Sequence, residues 1–457
     1  MKHIDRKLKR LQEFKHSSVS TNLSYRKNTL KKLYHSIRDH ERELYIALNK
    51  DFRKPVFESY VTEIGIVLDE IRYITKNMSR WARPKRVSTP IHQFPASSRL
   101  HYEPWGVVLI IAPWNYPVQL LLSPLIGAVA AGNSVMLKPS EHAPHTAETI
   151  ERIIRDTFDP EHAVVVTGGV DETKYILKQK FDYIFYTGNT RIGKIVMKAA
   201  ADHITPVTLE LGGKSPVIID EKAEIRIAAR RIVWGKFLNS GQTCVAPDYC
   251  LVHESRKDEL IEEMKKELKQ FYGMDVSTSP YFARMINKKH FHRVVRYMKD
   301  GTVVHGGKSD EADLFIEPTI VDNPPLDSPV MMEEIFGPVL PLVSVSSLDE
   351  AIAVVRERPN PLAMYIFSSV RKNIKRVLSS LHAGGVTVND TVVHLSNLEL
   401  PFGGVGYSGI GSYHGRKSFY TFSHEKSVMT RGTWLDLPLR YPPYTRSKLK
   451  IIKQLIK

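Results

Sequence analysis

From residue 105 onward the chain repeats one pattern: a short, nearly continuous apolar run, a turn, then a helical stretch. "VVLIIAP", "SVMLKPS", "HAVVVTGG" and "YIFYTG" are apolar at successive positions, as in strands covered on both faces. "TAETIERIIRDTF" and "RIGKIVMKAAADH" show helical spacing between or after them. Strands alternating with helices predict an α/β fold built on a parallel, doubly wound sheet. The alternation restarts after 215 with "SPVIID", a helix near 223–238, "YCLVHE", a charged helix over 255–271, "TVVHGG" and "LPLVSVSS". A second α/β domain is therefore expected, because 457 residues exceed what one hydrophobic core ordinarily holds. Ahead of it, Leu23, Leu30, Leu33, Ile37, Leu44 and Leu48 mark an amphipathic helical region over 21–50. Pro- and Gly-rich punctuation near 84–104 and 395–411 reads as crossover segments rather than domain cores.

Charge narrows the partners. There are 65 Lys and Arg against 49 Asp and Glu, a net +16. No nucleic-acid-binding motif accompanies this excess, so nucleic acid is not an expected partner. The basic residues gather at the ends, in "MKHIDRKLKRLQEFKH" and "RSKLKIIKQLIK". In the second, Leu449, Ile452, Leu455 and Ile456 fall at helical spacing among Lys448, Lys450, Lys453 and Lys457. A basic amphipathic helix can lie on an anionic membrane, whereas most such tails are merely solvated. The opening lacks a signal-peptide core, and "WGVVLIIAPW" and "LLLSPLIGAVAAG" are too short and interrupted to span a bilayer. The expectation is a cytoplasmic protein with at most a peripheral membrane contact.

Both cysteines fall within "NSGQTCVAPDYC", at 244 and 250. No third cysteine or clustered histidine supports a zinc site, and a disulfide would be unusual in a cytosolic chain. The remaining reading is one working thiol and one bystander. Cys244 has small and polar neighbours that leave room for a substrate, and Cys250 lies in a strand-like apolar setting.

Three further stretches carry chemistry. "YTGNTRIG" follows a strand and opens a helix, so Gly188 and Gly193 allow a tight turn toward a phosphate. It lacks the three-glycine dinucleotide fingerprint, and packing alone would also account for it. "LKPSEHAP" puts Lys138 and Glu141 at the C-terminal end of a strand, where a carboxylate can take both hydroxyls of a ribose; a surface ion pair is the plainer reading. "VTLELGGKSP" holds a lone carboxylate, Glu210, in an apolar strand. It is either a desolvated general base or a residue on the exposed face of an edge strand.

The order of these fragments says more than each alone. "PWNYP", "KPSE", "YTGN…G", "LELGGKSP", "GQTCVAPD", "EEIFGPV" and "LPFGGVGYSGIG" succeed one another between about 100 and 425. The sequence thereby resembles the aldehyde dehydrogenase superfamily, and "GYSGIGSYHGRKSF" is similar to its class 3 branch, which includes fatty aldehyde dehydrogenases. The resemblance implies a Rossmann-type cofactor domain (1–83 and 105–209), an α/β catalytic domain (210–390) and a bridging β-arm (84–104 and 391–425). A basic tail, 426–457, would follow. It also implies a homodimer, in which the arm adds a strand to a neighbour's sheet.

By the same resemblance Cys244 matches the nucleophile and Asn115 an oxyanion-hole donor. Glu210 matches the base that activates water, which favours a free acid over transfer to coenzyme A. Lys138 and Glu141 match adenine-ribose contacts, and Gly188 and Gly193 flank the pyrophosphate turn. Glu334 matches the nicotinamide-ribose contact, and Phe402 an aromatic beside the nicotinamide. Asn189 stands where many members have Ser, and it too can donate a hydrogen bond. The implied reaction is NAD-dependent oxidation of a hydrophobic (medium- or long-chain, terpenoid or aromatic) aldehyde to its acid. Glu141 should repel a 2′-phosphate, yet class 3 enzymes often accept NADP as well. The competing readings are an acylating enzyme that uses coenzyme A, a thiol hydrolase, and a non-catalytic scaffold retaining the fold.

Overall fold

A computed structural model describes residues 1–456 apart from 16 and 18. The apolar runs from 107 to 210 form five strands of a six-stranded sheet. Its order is Gly409–Ile410, Val207–Glu210, Tyr183–Thr187, Val107–Ile111, Ser134–Lys138, Ala163–Val165, and only the first pairs antiparallel. The central strands of the five are lined mainly by buried apolar residues, because helices cover both faces. On one face lies the helix Gln119–Ala131, buried all round. On the other lies the N-terminal helix Lys2–Lys15, which buries Ile4, Leu8, Leu11 and Phe14 while its many charged residues face water. Leu30, Leu33, Ile37, Leu44 and Leu48 enter the first core as their spacing predicts.

The second alternation folds into a seven-stranded sheet. Its order is Thr302–His305, Thr319–Asp322, Val339–Val345, Tyr249–His253, Pro216–Ile219, Ala363–Phe367, Gly385–Val388. Only Thr302–His305 runs antiparallel. Cys250 sits at its centre, between Leu342 and Val217 on the flanking strands.

A third sheet joins Lys85–Val87, Ala96–Pro104 and Ser423–Arg431, all antiparallel. This redraws the division expected between an arm ending at 425 and a tail beginning at 426. Ser423–Arg431 pairs residue for residue with Pro104–Ala96, so the boundary would cut a strand. Most of 391–425 lies elsewhere: Gly409–Ile410 extends the first sheet, and the helix Gly415–Thr421 packs on the helices Gly65–Trp81 and Gln119–Ala131. The strand is nearly all polar and exposed and is held by backbone pairing, so it carries no apolar alternation to betray it.

Among the described residues, no helix is long and apolar enough to cross a membrane. The helix Arg446–Leu455 buries no side chain, unlike the N-terminal helix of similar composition. Lys457 lies outside the described residues.

Candidate active site

The segment carrying Cys244 leaves the helix Ile225–Phe237 through a contorted turn and re-enters the sheet at Tyr249. Asn239 and Ser240 both adopt left-handed backbone (φ 54°), followed by Gly241 at φ 74°. A Cβ on Gly241 would come within 2.3 Å of the Gly337 carbonyl oxygen, so only glycine fits there. Consecutive left-handed non-glycine residues are costly and persist where their surroundings fix them. Here Gln242 does much of the fixing: its side-chain amide donates to the carbonyls of Asn239 (3.1 Å) and Arg284 (2.9 Å), and its oxygen accepts from the N–H of Ile286 (3.0 Å).

Cys244 emerges half-buried, whereas Cys250 is fully buried, and both thiols are free. Burial pushes the Cys244 thiol up to about 12, helped by the nearby carboxyls of Glu334 and Glu210 and opposed by the N–H groups of Cys244 and Val245.

Asn115 follows the strand Val107–Ile111 and is buried beside the same loop. Its amide nitrogen donates to the Gln242 carbonyl at 3.0 Å, and its own backbone carbonyl accepts from the Asn239 side chain at 2.9 Å. Next to it the Tyr116 hydroxyl meets the Thr243 hydroxyl at 2.6 Å. The "PWNYP" and "GQTC" segments, 127 residues apart in sequence, are thus bonded to each other.

Glu210 ends the strand Val207–Glu210, with neighbours on both sides. It is 2 % exposed, and neither carboxylate oxygen has a hydrogen-bond partner. Burial holds its carboxyl well above the usual range. This removes the exposed edge-strand reading.

Glu334 faces Gly212 and Gly213, just beyond the strand that Glu210 ends. Its Oε1 accepts weakly from the Gly213 N–H at 3.3 Å, and burial followed by the charge of Asp248 raises its carboxyl to about 8. Asp248 in turn accepts from Lys214 (2.9 Å) and from the N–H of Ile335, which fixes the backbone beside Glu334. Glu334, Thr190, Gly212, Gly213, Lys214 and Arg358 are among the residues lining a cavity of about 450 Å³. Phe402 stacks between His414 (ring centroids 5.2 Å apart) and His394 (6.2 Å).

The remaining candidates gather around the first sheet's C-terminal edge. Lys138 is almost wholly buried at the end of its strand, where burial lowers its ammonium, and it donates to the Pro139 carbonyl at 2.8 Å. Glu141 is exposed in the following turn and borders a cleft of about 340 Å³ with Pro139, Ser140, Pro144, Thr167 and Gly168. Asn189 caps the helix Thr190–Ala201, its side-chain oxygen accepting from the Ile192 N–H at 3.0 Å. That leaves its amide N–H groups available. The two glycines separate in their reasons: a Cβ on Gly188 would strike the Tyr186 hydroxyl at 2.2 Å, and one on Gly193 would strike Leu211 at 2.6 Å. Gly193 is thus explained by close packing of helix on strand.

These features fit a dinucleotide: an ammonium and a carboxylate at a strand end, a helix N-terminus, and a weakly bonded carboxyl, Glu334, lining a cavity. Glu58 and Glu63, the latter paired with Lys54, bond to the backbone of the segments that carry Cys244 and Asn115, although no motif pointed to them. Their only trace in the sequence is three charges within ten positions at the edge of an amphipathic region.

The sequence profile of the aldehyde dehydrogenase family matches residues 2–428. The chain belongs to this family. It is 48 % identical to the 4,4'-diaponeurosporen-aldehyde dehydrogenase of Staphylococcus aureus, over 100 % of both chains. It is 46 % identical to the mouse "aldehyde dehydrogenase, dimeric NADP-preferring", covering 97 % of this chain and 98 % of that one. The solved structure of substrate-bound Staphylococcus aureus AldH superposes with a TM-score of 0.97 at 48 % identity, covering 99 % of each chain. This aldehyde dehydrogenase is of class 3 type, an NAD(P)-dependent oxidoreductase with the α/β fold of its solved relatives, and it oxidises aldehydes.

Proposed function

We propose that Cys244 attacks the aldehyde carbon and that Asn115 and Glu210 serve the same reaction. The observation that carries this reading is the convergence of a half-buried thiol, a fixed amide and an unpartnered buried carboxyl around one loop. Attack, with the thiol proton released to solvent, forms the S–C bond of a thiohemiacetal and leaves negative charge on the former aldehyde oxygen. An amide has two N–H donors, and in Asn115 one is held by the Gln242 carbonyl, which fixes the amide plane. The other is left for the oxyanion, together with the Cys244 backbone N–H.

A bound nicotinamide dinucleotide would supply the hydride acceptor that converts the adduct to a thioester. Lys138 and Glu141 would hold its adenine ribose, and Gly188 and Asn189 its pyrophosphate at the N-terminus of a helix packed through Gly193. Glu334 would hold the nicotinamide ribose and Phe402 flank the ring. The Glu141 carboxylate favours NAD over NADP. Glu210, desolvated and so basic once ionised, takes a proton from the water that cleaves the thioester. Release of a free acid is therefore favoured over acyl transfer to coenzyme A.

Two observations support a hydrophobic aldehyde. The full-length relative at 48 % identity is named for a carotenoid-type aldehyde. In addition, the helix whose buried face bears Glu58 and Glu63 turns Val56, Phe57, Tyr60 and Val61 outward, with Phe57 75 % exposed. Exposed apolar clusters of this kind mark binding surfaces. NAD reduction should rise with aldehyde chain length and vanish in Cys244→Ala; a flat response would sink the substrate reading, and turnover in the mutant the nucleophile. A dependence on added coenzyme A would favour the acylating reaction instead.

A cytoplasmic homodimer, peripheral to the membrane, completes the reading. Ser423–Arg431 is the outer strand of its sheet and has one edge without a strand partner among the described residues, which suits strand addition from a second copy. The helix Arg446–Leu455 exposes Leu449, Ile451 and Leu455 among Lys448, Lys450 and Lys453. Truncation after Tyr444 should lower partitioning onto anionic vesicles at low salt; unchanged partitioning would exclude that contact.

A further inference from the structure

Lys54, Glu58 and Glu63 are a lysine and two carboxylates buried away from any charged ligand, and burying them is costly unless each is answered. Lys54 is turned inward by the left-handed Arg53 that ends the helix Glu41–Phe52. Its ammonium donates to Glu63 at 2.6 Å and lies 4.0 Å from the centre of the Tyr116 ring, within the field of Glu58. The other oxygen of Glu63 accepts from the N–H groups of Val118 (2.8 Å) and, more weakly, Gln119 (3.4 Å), capping the helix Gln119–Ala131. Glu58 accepts from the N–H of Asn239 at 3.0 Å. Asn239 is the first of the left-handed residues, and its side chain returns to the carbonyl of Asn115.

These bonds form a chain from Lys54 through Glu63 to the segment after "PWNYP", and through Asn115 to Asn239 and Glu58. The charge of Lys54, felt by Glu58 without a direct bond, brings its two ends together. The backbone between the carboxylates makes this geometry reachable. Residues five apart on a regular α-helix are turned about 140° from one another. Here Tyr60–Ile64 is a π-helical turn, whose wider coil brings Glu63 round to the buried side with Glu58.

We propose that Lys54, Glu58 and Glu63 are positioning residues, a buried clamp that holds the oxyanion loop and the nucleophile loop at a fixed separation. Glu58 holds the strained end of the Cys244 loop, Glu63 holds the base of the Asn115 loop, and Lys54 ties the two carboxylates together. The clamp rests on the reading of Cys244 and Asn115 given above. It goes beyond that reading because none of its three members touches the reacting atoms.

The test separates reach from charge. Glu58→Asp keeps the charge but withdraws the carboxylate from Asn239 by one methylene, whereas Glu58→Gln keeps an oxygen at full reach and discards the charge. The expected result for Glu58→Asp is a loss of at least about tenfold in kcat with aldehyde KM little changed, since small misplacements of reacting groups cost that much or more. Alkylation of Cys244 by iodoacetamide, measured in a Cys250→Ala background, should quicken as the loop loosens. Glu58→Gln should lose no more than about threefold, the worth of one modest hydrogen-bond difference. Tm and NAD affinity are measured on both proteins. Wild-type kcat in Glu58→Asp, or a larger loss in Glu58→Gln than in Glu58→Asp, overturns the clamp. Cys244→Ala is run alongside: turnover in that protein would overturn the underlying site assignment instead.

Discussion

Gly212 faces the carboxyl of Glu334 so closely that a Cβ on it would lie 2.2 Å from Oε2. The obstacle is the far end of a flexible side chain rather than backbone, so Gly212→Ala should fold and push Glu334 aside. The expected outcome is a rise of about tenfold in cofactor KM, the equivalent of one charge-assisted hydrogen bond. Steady-state kinetics against NAD, with Tm as control, check it; an unchanged cofactor KM would remove Glu334 from the cofactor site.

Glu210→Gln should uncouple the two halves of the reaction. Thioester formation does not require the carboxylate, and hydrolysis does. A rapid burst of about one equivalent of reduced cofactor should precede a steady rate lowered by about 10² to 10⁴. Stopped-flow absorbance reads both phases, and loss of the burst together with the steady rate would give Glu210 a different role.

Stability should respond to pH through Glu334. Its carboxyl ionises near 4.5 in the unfolded chain but near 8 in the folded one. Between those values the native state keeps a proton that the unfolded state has released, so stability falls as pH rises through that window. Glu334→Gln cannot release this proton. The fall in Tm between pH 6 and pH 8.5 should therefore be smaller in the mutant, and parallel curves would refute the assigned shift.

Cys250→Ala should cost about 1 kcal/mol of stability, as a buried side chain made smaller, and retain dehydrogenase turnover. Urea unfolding and a rate assay on the same preparation suffice. An inactive but well-folded Cys250→Ala protein would mean that the two thiols are not divided between chemistry and core.

The sequence was informative where burial is complete and local. The strands from Val107 to Glu210 are read from apolar runs because both faces are covered, and Cys250 is read as core for the same reason. Cys244 and Glu210 stand out as polar groups in small-residue or apolar settings, whereas Asn115 is legible only through the family resemblance; the fold bonds the Asn115 segment to the Cys244 loop. Glu58 and Glu63 do not stand out, because their partners are Asn239 and Val118, 181 and 55 residues away. A charged side chain on an amphipathic helix is ordinarily assigned to solvent, and only the π turn moves these two inside. Ser423–Arg431 was illegible for a related reason, since its pairing uses backbone groups that every sequence possesses.

The stretch 56–64 therefore presents two surfaces with separate duties. Inward, its carboxylates bond to the backbone of Asn239 and Val118, in the loops beside Cys244 and Asn115. Outward, Val56, Phe57, Tyr60 and Val61 touch little of the rest of the chain. Substitutions on that outer surface are therefore free to vary without touching the bonds beneath, so its composition can drift while the buried carboxylates stay as they are.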